Sequence, residues 1–186
     1  NCIYKKNGKI IGTNTDWTGF LKSLKYQSKN TKKNNASIIG FGGAAKATIY
    51  ALERAGFKNI SIFVRNPNKL SEFLKIKKNI SGHDIKNINR RAKSIDLLIN
   101  STTTSLLKDL KINVLLLKKN CVVSDINYVP HETELIKKAK TKKLKIVYGI
   151  YMLLFQAVPA FNLWFGFSPK VSKELINMCK EEAKKW

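Results

Sequence analysis

The sequence predicts an α/β protein in which a parallel β-sheet is covered by helices on both faces. From residue 36 onward, short runs rich in Ile, Val and Leu alternate with helical patterns, as in strands joined by crossover helices. The first of these runs leads through a glycine-rich turn into a helix. The chain has 186 residues, of which 44% are apolar, so it has enough material for one packed core.

A hairpin, a helix and a linker are predicted before residue 36. Residues 3–11 alternate around an Asn-Gly pair, which is a strong signal of a tight hairpin turn. Thr15 or Asp16 can cap the following helix, whose apolar side chains recur at helical spacing: Trp17, Phe20, Leu21 and Leu24. Polar residues without periodicity come next. We therefore assign a hairpin and hinge helix to 1–26 and a linker to 27–35.

Strands and helices alternate after this linker. The predicted strands are Ala36–Ile39, Ile60–Val64, Asp96–Asn100, Cys121–Asp125 and Lys145–Tyr148. The predicted helices are Ala44–Ala55, which Gly56 ends, Thr133–Lys140, Ile150–Trp164 and Pro169–Lys185. The polar segment Ile88–Arg91 fits a loop or an edge strand. These elements predict an α/β domain over 36–149 and C-terminal helices over 150–186.

The turn after the first predicted strand reads Gly40-Phe41-Gly42-Gly43-Ala44-Ala45, which fits the dinucleotide-binding fingerprint of Rossmann-like domains. Gly40 permits a tight turn, Gly42 lets the backbone approach a pyrophosphate, and Ala45 lets the helix pack closely on the strand. The N–H groups at the helix start then face the phosphates. We predict cofactor contacts from Gly40 through Ala44; the alternative is a glycine-rich turn without a ligand.

The end of the second predicted strand lacks the carboxylate that selects NAD by binding the adenosine ribose. Residues 63–71 contain no Asp or Glu and carry Arg65 and Lys69 instead. A guanidinium binds a 2′-phosphate through charge-assisted hydrogen bonds, so the predicted cofactor is NADP. The alternative is that Arg65 is one more surface cation of a lysine-rich chain.

The net charge of +23 raises the hypothesis of a nucleic-acid partner. The lysines are spread along the whole chain, however, and their local clusters lack interleaved aromatic residues. A solvated basic surface is therefore the favoured interpretation. No apolar run approaches the roughly 18 residues of a membrane span, so no membrane partner is predicted.

The cysteines and histidines predict no metal site. Cys2, Cys121 and Cys179 are odd in number, far apart and without a histidine at metal-ligand spacing. They suggest a reducing cytosol, and the expected location is cytoplasmic. His83 and His131 receive no catalytic role.

Four stretches together resemble shikimate dehydrogenase: "GTNTDWTGF", "IIGFGGAAKA", "DINYVPHETELI" and "GIYMLLFQAVPAFNLW". The resemblance covers nearly all of the chain and implies a two-domain enzyme that reversibly reduces 3-dehydroshikimate with NADPH, in the pathway to chorismate and the aromatic amino acids. It implies that this chain is the C-terminal, NADP-binding portion, because it opens without a start methionine and begins after the family's N-terminal substrate domain and catalytic lysine. The C-terminal helices would then pack against that domain, and the chain alone would turn over poorly.

The resemblance also implies residue roles. Asp16 would be catalytic, beside the family's lysine, although the residues alone are equally consistent with a helix cap. The substrate would bind Asn1, Asp16, Tyr128 and Gln156. Gln156 is an amide in an apolar helix and needs a polar partner, so the alternative is a satisfied core glutamine. The cofactor contacts outside the glycine turn would be Val64, Arg65, Asn66, Lys69, Ile126 and Gly149.

Several residues depart from the family pattern: Cys2, Phe41, Val64, Asn66, Ser105, Leu106 and Val129. The replacements beside Arg65 change the ribose contacts but keep the charge contact. Ser105 and Leu106 replace a Gly-Met pair and predict a different turn there.

Other functions stay open. One is an NAD-dependent quinate/shikimate dehydrogenase, against which the missing carboxylate near Arg65 argues. Another is a non-catalytic nucleotide- or nucleic-acid-binding module on the same fold. A third is a natural fragment without catalytic activity. The expected partner is a small-molecule substrate, shikimate or 3-dehydroshikimate, and a homodimer is left open.

Overall fold

A computed structural model of the protein describes residues 1–103 and 112–185. Two strands, β1 (Cys2–Lys6) and β2 (Lys9–Thr13), form an antiparallel hairpin. Six further strands form a second sheet: β3 (Asn35–Ile39), β4 (Asn59–Val64), β5 (Ile80–Asp84), β6 (Leu97–Asn100), β7 (Val122–Asp125) and β8 (Lys145–Tyr148). The turn predicted to differ from the family pattern at Ser105 and Leu106 lies outside the described residues.

The α-helices of the described residues are α1 (Asp16–Gln27), α2 (Gly43–Arg54), α3 (Ser71–Lys75), α4 (Ile88–Arg91), α5 (Glu134–Thr141), α6 (Gly149–Phe165) and α7 (Lys173–Lys184). Short 3-10 turns occur at Pro67–Leu70, Ile85–Asn87, Ala92–Ser94 and Val114–Leu116. None of these described helices combines the length and the apolar character needed to cross a membrane.

The second sheet is parallel throughout, with the strand order β5-β4-β3-β6-β7-β8. The chain moves outward from β3 through β4 to β5 and then returns to β6 on the other side of β3. The strand order therefore reverses between β3 and β6, and ligands of such sheets bind in the crevice at the carboxyl ends of these two strands. This topology confirms the predicted Rossmann-like fold.

Both faces of the sheet are buried. Ile38 of β3 and Ile62 of β4 belong to one apolar cluster, together with Leu52 of α2. The neighbouring residues Ile39 and Phe63 belong to a second cluster, on the opposite face. This alternation follows from the period of two along a strand, and the burial of both faces explains why the strands read as continuous apolar runs.

The five predicted strands and four predicted helices are confirmed, with boundaries that shift by up to four residues. The strand β5 was not predicted, because its sequence Ile-Ser-Gly-His-Asp has one large apolar residue and it lies at the edge of the sheet. Ile88–Arg91 is a one-turn helix, not a loop or an edge strand. The last helix begins after Ser172, whose side chain accepts from the amide of Leu175, and not at Pro169.

Of the two predicted caps of α1, Thr15 takes the N-cap position, but the side chain of the preceding residue makes the hydrogen bonds to the first amides. Oδ1 of Asn14 accepts from the amides of Asp16 at 3.0 Å and Trp17 at 3.4 Å, whereas the side chain of Thr15 makes no capping hydrogen bond. The carboxylate of Asp16 is therefore not used to cap its helix. At the other end, α1 includes Gln27, the first residue of the predicted linker.

Candidate active site

The glycine turn lies at the carboxyl end of β3, where the strand order reverses. Gly40 has a φ angle of +98°, and its amide donates to the carbonyl of Phe63 on β4 at 2.9 Å. A Cβ atom at Gly40 would lie 2.7 Å from Cγ2 of Thr102 and 3.1 Å from Oγ of Ser101, just after β6. Only glycine therefore fits both the backbone angle and the close approach of this segment.

The start of α2 is open to an anion. Gly42 is the N-cap and has no side chain to accept the first N–H groups, and the first turn contains no acidic residue. A Cβ atom at Gly42 or Gly43 would meet no heavy atom within 4 Å. Unpaired N–H groups at the positive end of a helix dipole attract phosphates, so this turn suits a pyrophosphate.

Arg65 and Lys69 are two exposed cations that follow β4. No carboxylate of the described residues forms an ion pair with either of them. Between them, the side chain of Asn66 accepts from the amide of Asn68 at 3.1 Å and so shapes the turn. Val64 is the half-buried last residue of β4. Two unpaired charges at this position suit a phosphate on the adenosine ribose.

A cavity of about 720 Å³ extends from the start of α2 to α1 and α6. Seven predicted site residues line it: Asn1, Asp16, Ala44, Ile126, Tyr128, Gly149 and Gln156. The structure thus brings the substrate residues of the prediction together with three of its cofactor residues. The other predicted cofactor residues do not line the cavity and belong to the ends of β3 and β4: Gly40, Phe41, Gly42, Gly43, Val64, Arg65, Asn66 and Lys69.

Asn1 joins two of the other predicted substrate residues, Asp16 and Gln156, into one hydrogen-bond network. Its Nδ2 donates to Oδ1 of Asp16 at 2.7 Å, to Oγ1 of Thr15 at 2.9 Å and to Oε1 of Gln156 at 3.2 Å. Because Nδ2 carries only two hydrogens, these three acceptors share them. Among the described residues, no donor contacts the second carboxylate oxygen of Asp16. That oxygen is therefore available to a ligand in the cavity.

Two residues without a predicted site role bring Gln156 into this network. Thr15 is 3% exposed, and its Oγ1 donates to Oε1 of Gln156 at 3.2 Å. A Cβ atom at Gly19 of α1 would lie 2.6 Å from Cβ of Gln156 and 2.7 Å from the carbonyl oxygen of Met152 on α6. The helices α1 and α6 therefore meet backbone to backbone. A glycine within an amphipathic helix is the signal that could have found this contact.

The loop that follows β7 lines the cavity, and the carboxylate of Asp125 holds it. Asp125 is 1% exposed and accepts from Oγ1 of Thr133 at 2.7 Å, from the amide and Nδ2 of Asn127 at 3.0 and 2.7 Å, and from Nδ2 of Asn100 at 3.0 Å. Burial raises the pKa of this carboxyl, and the hydrogen bonds oppose the rise. No site role is predicted for Asp125 from sequence, although a carboxylate that ends an apolar strand is a recognisable signal.

Gly149 begins α6 where the loop after β7 presses against it. A Cβ atom at Gly149 would overlap the carbonyl oxygens of Ile126 and Asn127. Glycine therefore permits two parts of the cavity wall to meet. Tyr128, in the same loop, is 43% exposed.

The described cysteines and histidines do not line the cavity. Burial raises the pKa of Cys121 to about 12, so its thiol is protonated at neutral pH. Burial also lowers the pKa of His131. In residues 1–103 and 112–185, no group of three or more His, Cys, Asp or Glu residues is placed to hold a metal ion.

The strand order of the parallel sheet reverses beside a glycine turn and the open start of a helix. These features define the class of dinucleotide-binding α/β proteins. A family model described as shikimate / quinate 5-dehydrogenase matches residues 22–145. The chain therefore belongs to the shikimate/quinate 5-dehydrogenase family.

Curated relatives carry the name shikimate dehydrogenase (NADP(+)). The protein from Clostridium botulinum strain Hall is 40% identical over 167 residues, which cover 88% of this chain and 64% of the relative. The protein from Aquifex aeolicus is 39% identical over 168 residues, which cover 89% of this chain and 60% of the relative. The chain thus spans less than two thirds of the length of these relatives.

Solved structures share the fold. Shikimate dehydrogenase from Aquifex aeolicus superposes with a TM-score of 0.79 at 33% identity, over 95% of this chain and 64% of that one. Shikimate 5-dehydrogenase from Thermus thermophilus, in complex with NADP(H) and shikimate, has a TM-score of 0.78 at 26% identity, over 97% of this chain and 67% of that one. A quinate dehydrogenase from Corynebacterium glutamicum in complex with NAD has a TM-score of 0.82 at 24% identity, over 100% of this chain and 67% of that one, and shows the fold alone.

Proposed function

We propose that this chain is the coenzyme-binding part of an NADP-dependent shikimate dehydrogenase, which reversibly reduces 3-dehydroshikimate to shikimate. One observation carries the proposal: the start of α2 and the loop after β7 line the same cavity as the polar network of Asn1, Asp16 and Gln156. A coenzyme on the glycine turn would end beside hydrogen-bonding groups suited to a hydroxylated substrate. The names of the relatives point the same way.

The residues of the chain fit NADP(H). The free N–H groups at the start of α2 would bind the pyrophosphate. Arg65 and Lys69 would bind the 2′-phosphate, and Ile126 and Gly149 would orient the nicotinamide end along the cavity wall. When bound, NADP(H) supplies the hydride of the reaction.

Asn1 and Gln156 would bind the substrate hydroxyl groups, with Tyr128 on the same wall. Oε1 of Gln156 accepts from Asn1 and Thr15, and its Nε2 donates to the carbonyl of Leu153 at 3.1 Å. These contacts fix the side chain of Gln156 before any substrate arrives. A preorganised amide loses less conformational freedom on binding than a mobile one.

Asp16 would take part in proton transfer at the substrate oxygen. It does not cap α1, and one of its carboxylate oxygens has no donor among the described residues. A carboxylate within hydrogen-bonding reach of the reacting group can hold or pass on a proton. None of the described residues that line the cavity is a lysine. We therefore expect the 186-residue chain to bind NADPH but to oxidise shikimate poorly.

Equilibrium titration of NADPH and NADH, followed by coenzyme fluorescence, tests the proposal. We expect NADPH to bind at least about tenfold more tightly, which corresponds to one charge-assisted contact. Arg65→Asp should abolish or reverse this preference. Lys138→Gln removes an exposed, unpaired lysine of α5 and serves as the control that changes neither affinity.

Three outcomes would contradict the proposal. Equal affinities, or tighter binding of NADH, would favour the NAD-dependent quinate/shikimate alternative. Binding of unrelated DNA duplexes that falls linearly with the logarithm of salt concentration, without NADPH binding, would favour the nucleic-acid module. NADPH binding without any shikimate oxidation, even when the additional region of a relative is supplied, would favour an inactive natural fragment.

A cytoplasmic location and a homodimer are further proposals. Cell fractionation tests the first, and recovery in a membrane fraction would contradict it. Sedimentation velocity tests the second, and a monomer at all concentrations would contradict it.

A further inference from the structure

We propose that Lys46 is a third cation of the coenzyme site and binds the 2′-phosphate of NADP(H), with Phe41 holding its ammonium group in place. The inference rests on the proposed function and extends it. It adds a specificity-determining residue from α2 to the two cations that follow β4.

Lys46 lies in the first turn of α2 and leans back over the glycine turn. Its amide donates to the carbonyl of Gly42 at 3.1 Å, and helical side chains tilt toward the N-terminus of their helix. Its Nζ lies 5.2 Å from the centroid of the Phe41 ring. A cation beside the positive end of a helix dipole is unfavourable, and this turn has no acidic residue to offset it. A bound anion would remove that cost.

Phe41 is held in place by contacts with a second aromatic ring and with the apolar core. Its ring packs against the ring of Phe73 on α3, with centroids 4.9 Å apart and planes at 61°. Both rings pack against the buried cluster that α1 and α2 share with the sheet. Because the Phe41 ring is held, its cation–π contact gives the flexible Lys46 side chain a preferred place.

The strand register brings Phe41 and Arg65 to the same end of the sheet. Ile39 of β3 lies opposite Phe63 of β4. Phe41 and Arg65 each follow two residues later, so they leave neighbouring strands that lie about 4.8 Å apart. Phe41, with the Lys46 ammonium group 5.2 Å from its ring centroid, therefore lies at the same end of the sheet as Arg65, and we infer that both cations face the adenosine ribose.

The cations of the proposed site are not neutralised by ion pairs, whereas two lysines near α3 are. Two lysines at and after the end of α3 each pair with a glutamate: Lys75 with Glu72 and Lys77 with Glu53. Within the described residues, no carboxylate pairs with Lys46, Arg65 or Lys69. Unpaired like charges at one edge repel each other, and a phosphate dianion would relieve that repulsion.

The test compares variants of Lys46 by titration with NADPH and with NADH at constant ionic strength. Lys46→Gln should weaken NADPH binding about fivefold to tenfold, and NADH binding less than about twofold, because only NADPH carries the 2′-phosphate. Lys46→Arg should restore NADPH binding. Phe41→Leu keeps an apolar side chain but removes the ring face, and it should reduce the NADPH preference in part. Lys138→Gln is again the control for loss of one positive charge.

The outcomes separate this inference from the proposed function. An unchanged NADPH preference in Lys46→Gln would overturn the inference alone. An equal loss for both coenzymes would also overturn it, because it would place Lys46 at the pyrophosphate. A wild-type chain without NADPH preference would overturn the proposed function and the inference together. Thermal unfolding midpoints equal to wild type would show that the Lys46 variants act through binding and not through folding.

Discussion

Replacing Gly19 by alanine should separate α1 from α6 and break the network that holds Gln156. The new Cβ atom would lie 2.6 Å from Cβ of Gln156, whereas ordinary van der Waals contact begins at 3.4 Å. The helices must therefore move apart by about 0.8 Å, the difference between these distances. The two hydrogen bonds to Oε1 of Gln156, from Asn1 and Thr15, are both 3.2 Å long. The same shift would open them to about 4 Å, beyond hydrogen-bonding distance.

The expected loss is about 1–5 kcal/mol in the free energy of unfolding. Overpacking costs about 1–3 kcal/mol, and two weakened hydrogen bonds cost about 0.5–1.5 kcal/mol each. The higher helix propensity of alanine returns about 1 kcal/mol. Urea unfolding measures the result. The matched control is Gly43→Ala on α2, where a Cβ atom meets nothing within 4 Å and no loss is expected.

Binding measurements on Gly19→Ala distinguish the coenzyme-binding glycine turn from the substrate-binding network of Gln156. Because the close contacts of Gly19 are with α6 and not with the glycine turn, the affinity of Gly19→Ala for NADPH should equal that of wild type. Its affinity for shikimate should be lower than that of wild type, because Gln156 is displaced. A Gly19→Ala variant as stable as wild type, or one that loses no more than Gly43→Ala, would refute the close contact of α1 and α6.

Three further predictions concern a buried carboxyl group, a glycine with a positive φ angle and the cysteine thiols. Burial raises the folded-state pKa of Asp125 above its ordinary value of 3.8. The contribution of protonated Asp125 to the free energy of unfolding is therefore complete below pH 3.8, and it is lost as the pH rises through the folded-state pKa. In urea unfolding, the stability of wild type relative to Asp125→Asn should therefore fall as pH rises across that window; a constant difference would contradict this. Gly40→Ala should lower the free energy of unfolding by about 1–3 kcal/mol, because its φ angle is +98° and its Cβ would lie 2.7 Å from Thr102; an unchanged urea midpoint would argue against the tight turn. With a thiol reagent, half-buried Cys179 should react first and Cys121 only as fast as the protein unfolds, since its pKa is about 12; prompt labelling of Cys121 in the native protein would disprove its burial.

Local signals made most of the Rossmann-like sheet predictable. Gly40 and Gly56 mark a strand end and a helix end by their backbone freedom, and both have positive φ angles. Strand β5 escaped prediction because pairing with β4, and not its own composition, makes Ile80–Asp84 a strand. The cap of α1 could not be chosen from sequence, since three polar residues in a row are all capable caps. Thr15 takes the N-cap position, but its side chain bonds to Asn1 and Gln156, so Asn14 accepts from the first amides instead.

The candidate site depends on contacts that no local pattern contains. Thr15 and Gln156 are 141 positions apart, and they meet because Gly19 allows α1 to touch α6. Only the family resemblance singled out Asp16 and Asn1 from sequence, since a helix cap or an exposed amide is an equally good local interpretation. The place of Asp125 at the end of an apolar strand is a local signal, but its role in holding the loop depends on four hydrogen bonds from residues on β6 and beyond β7. The division of the chain at 27–35 and 149 stays a prediction.

A crystal structure of the chain with NADPH bound is the most direct test of the coenzyme site. The pyrophosphate is predicted at the free N–H groups of Gly43 and Ala44, with the 2′-phosphate within about 4 Å of the guanidinium of Arg65, the usual limit of an ion pair. A vacant crevice at saturating coenzyme, or a nucleotide whose ribose points away from Arg65, would contradict the assignment.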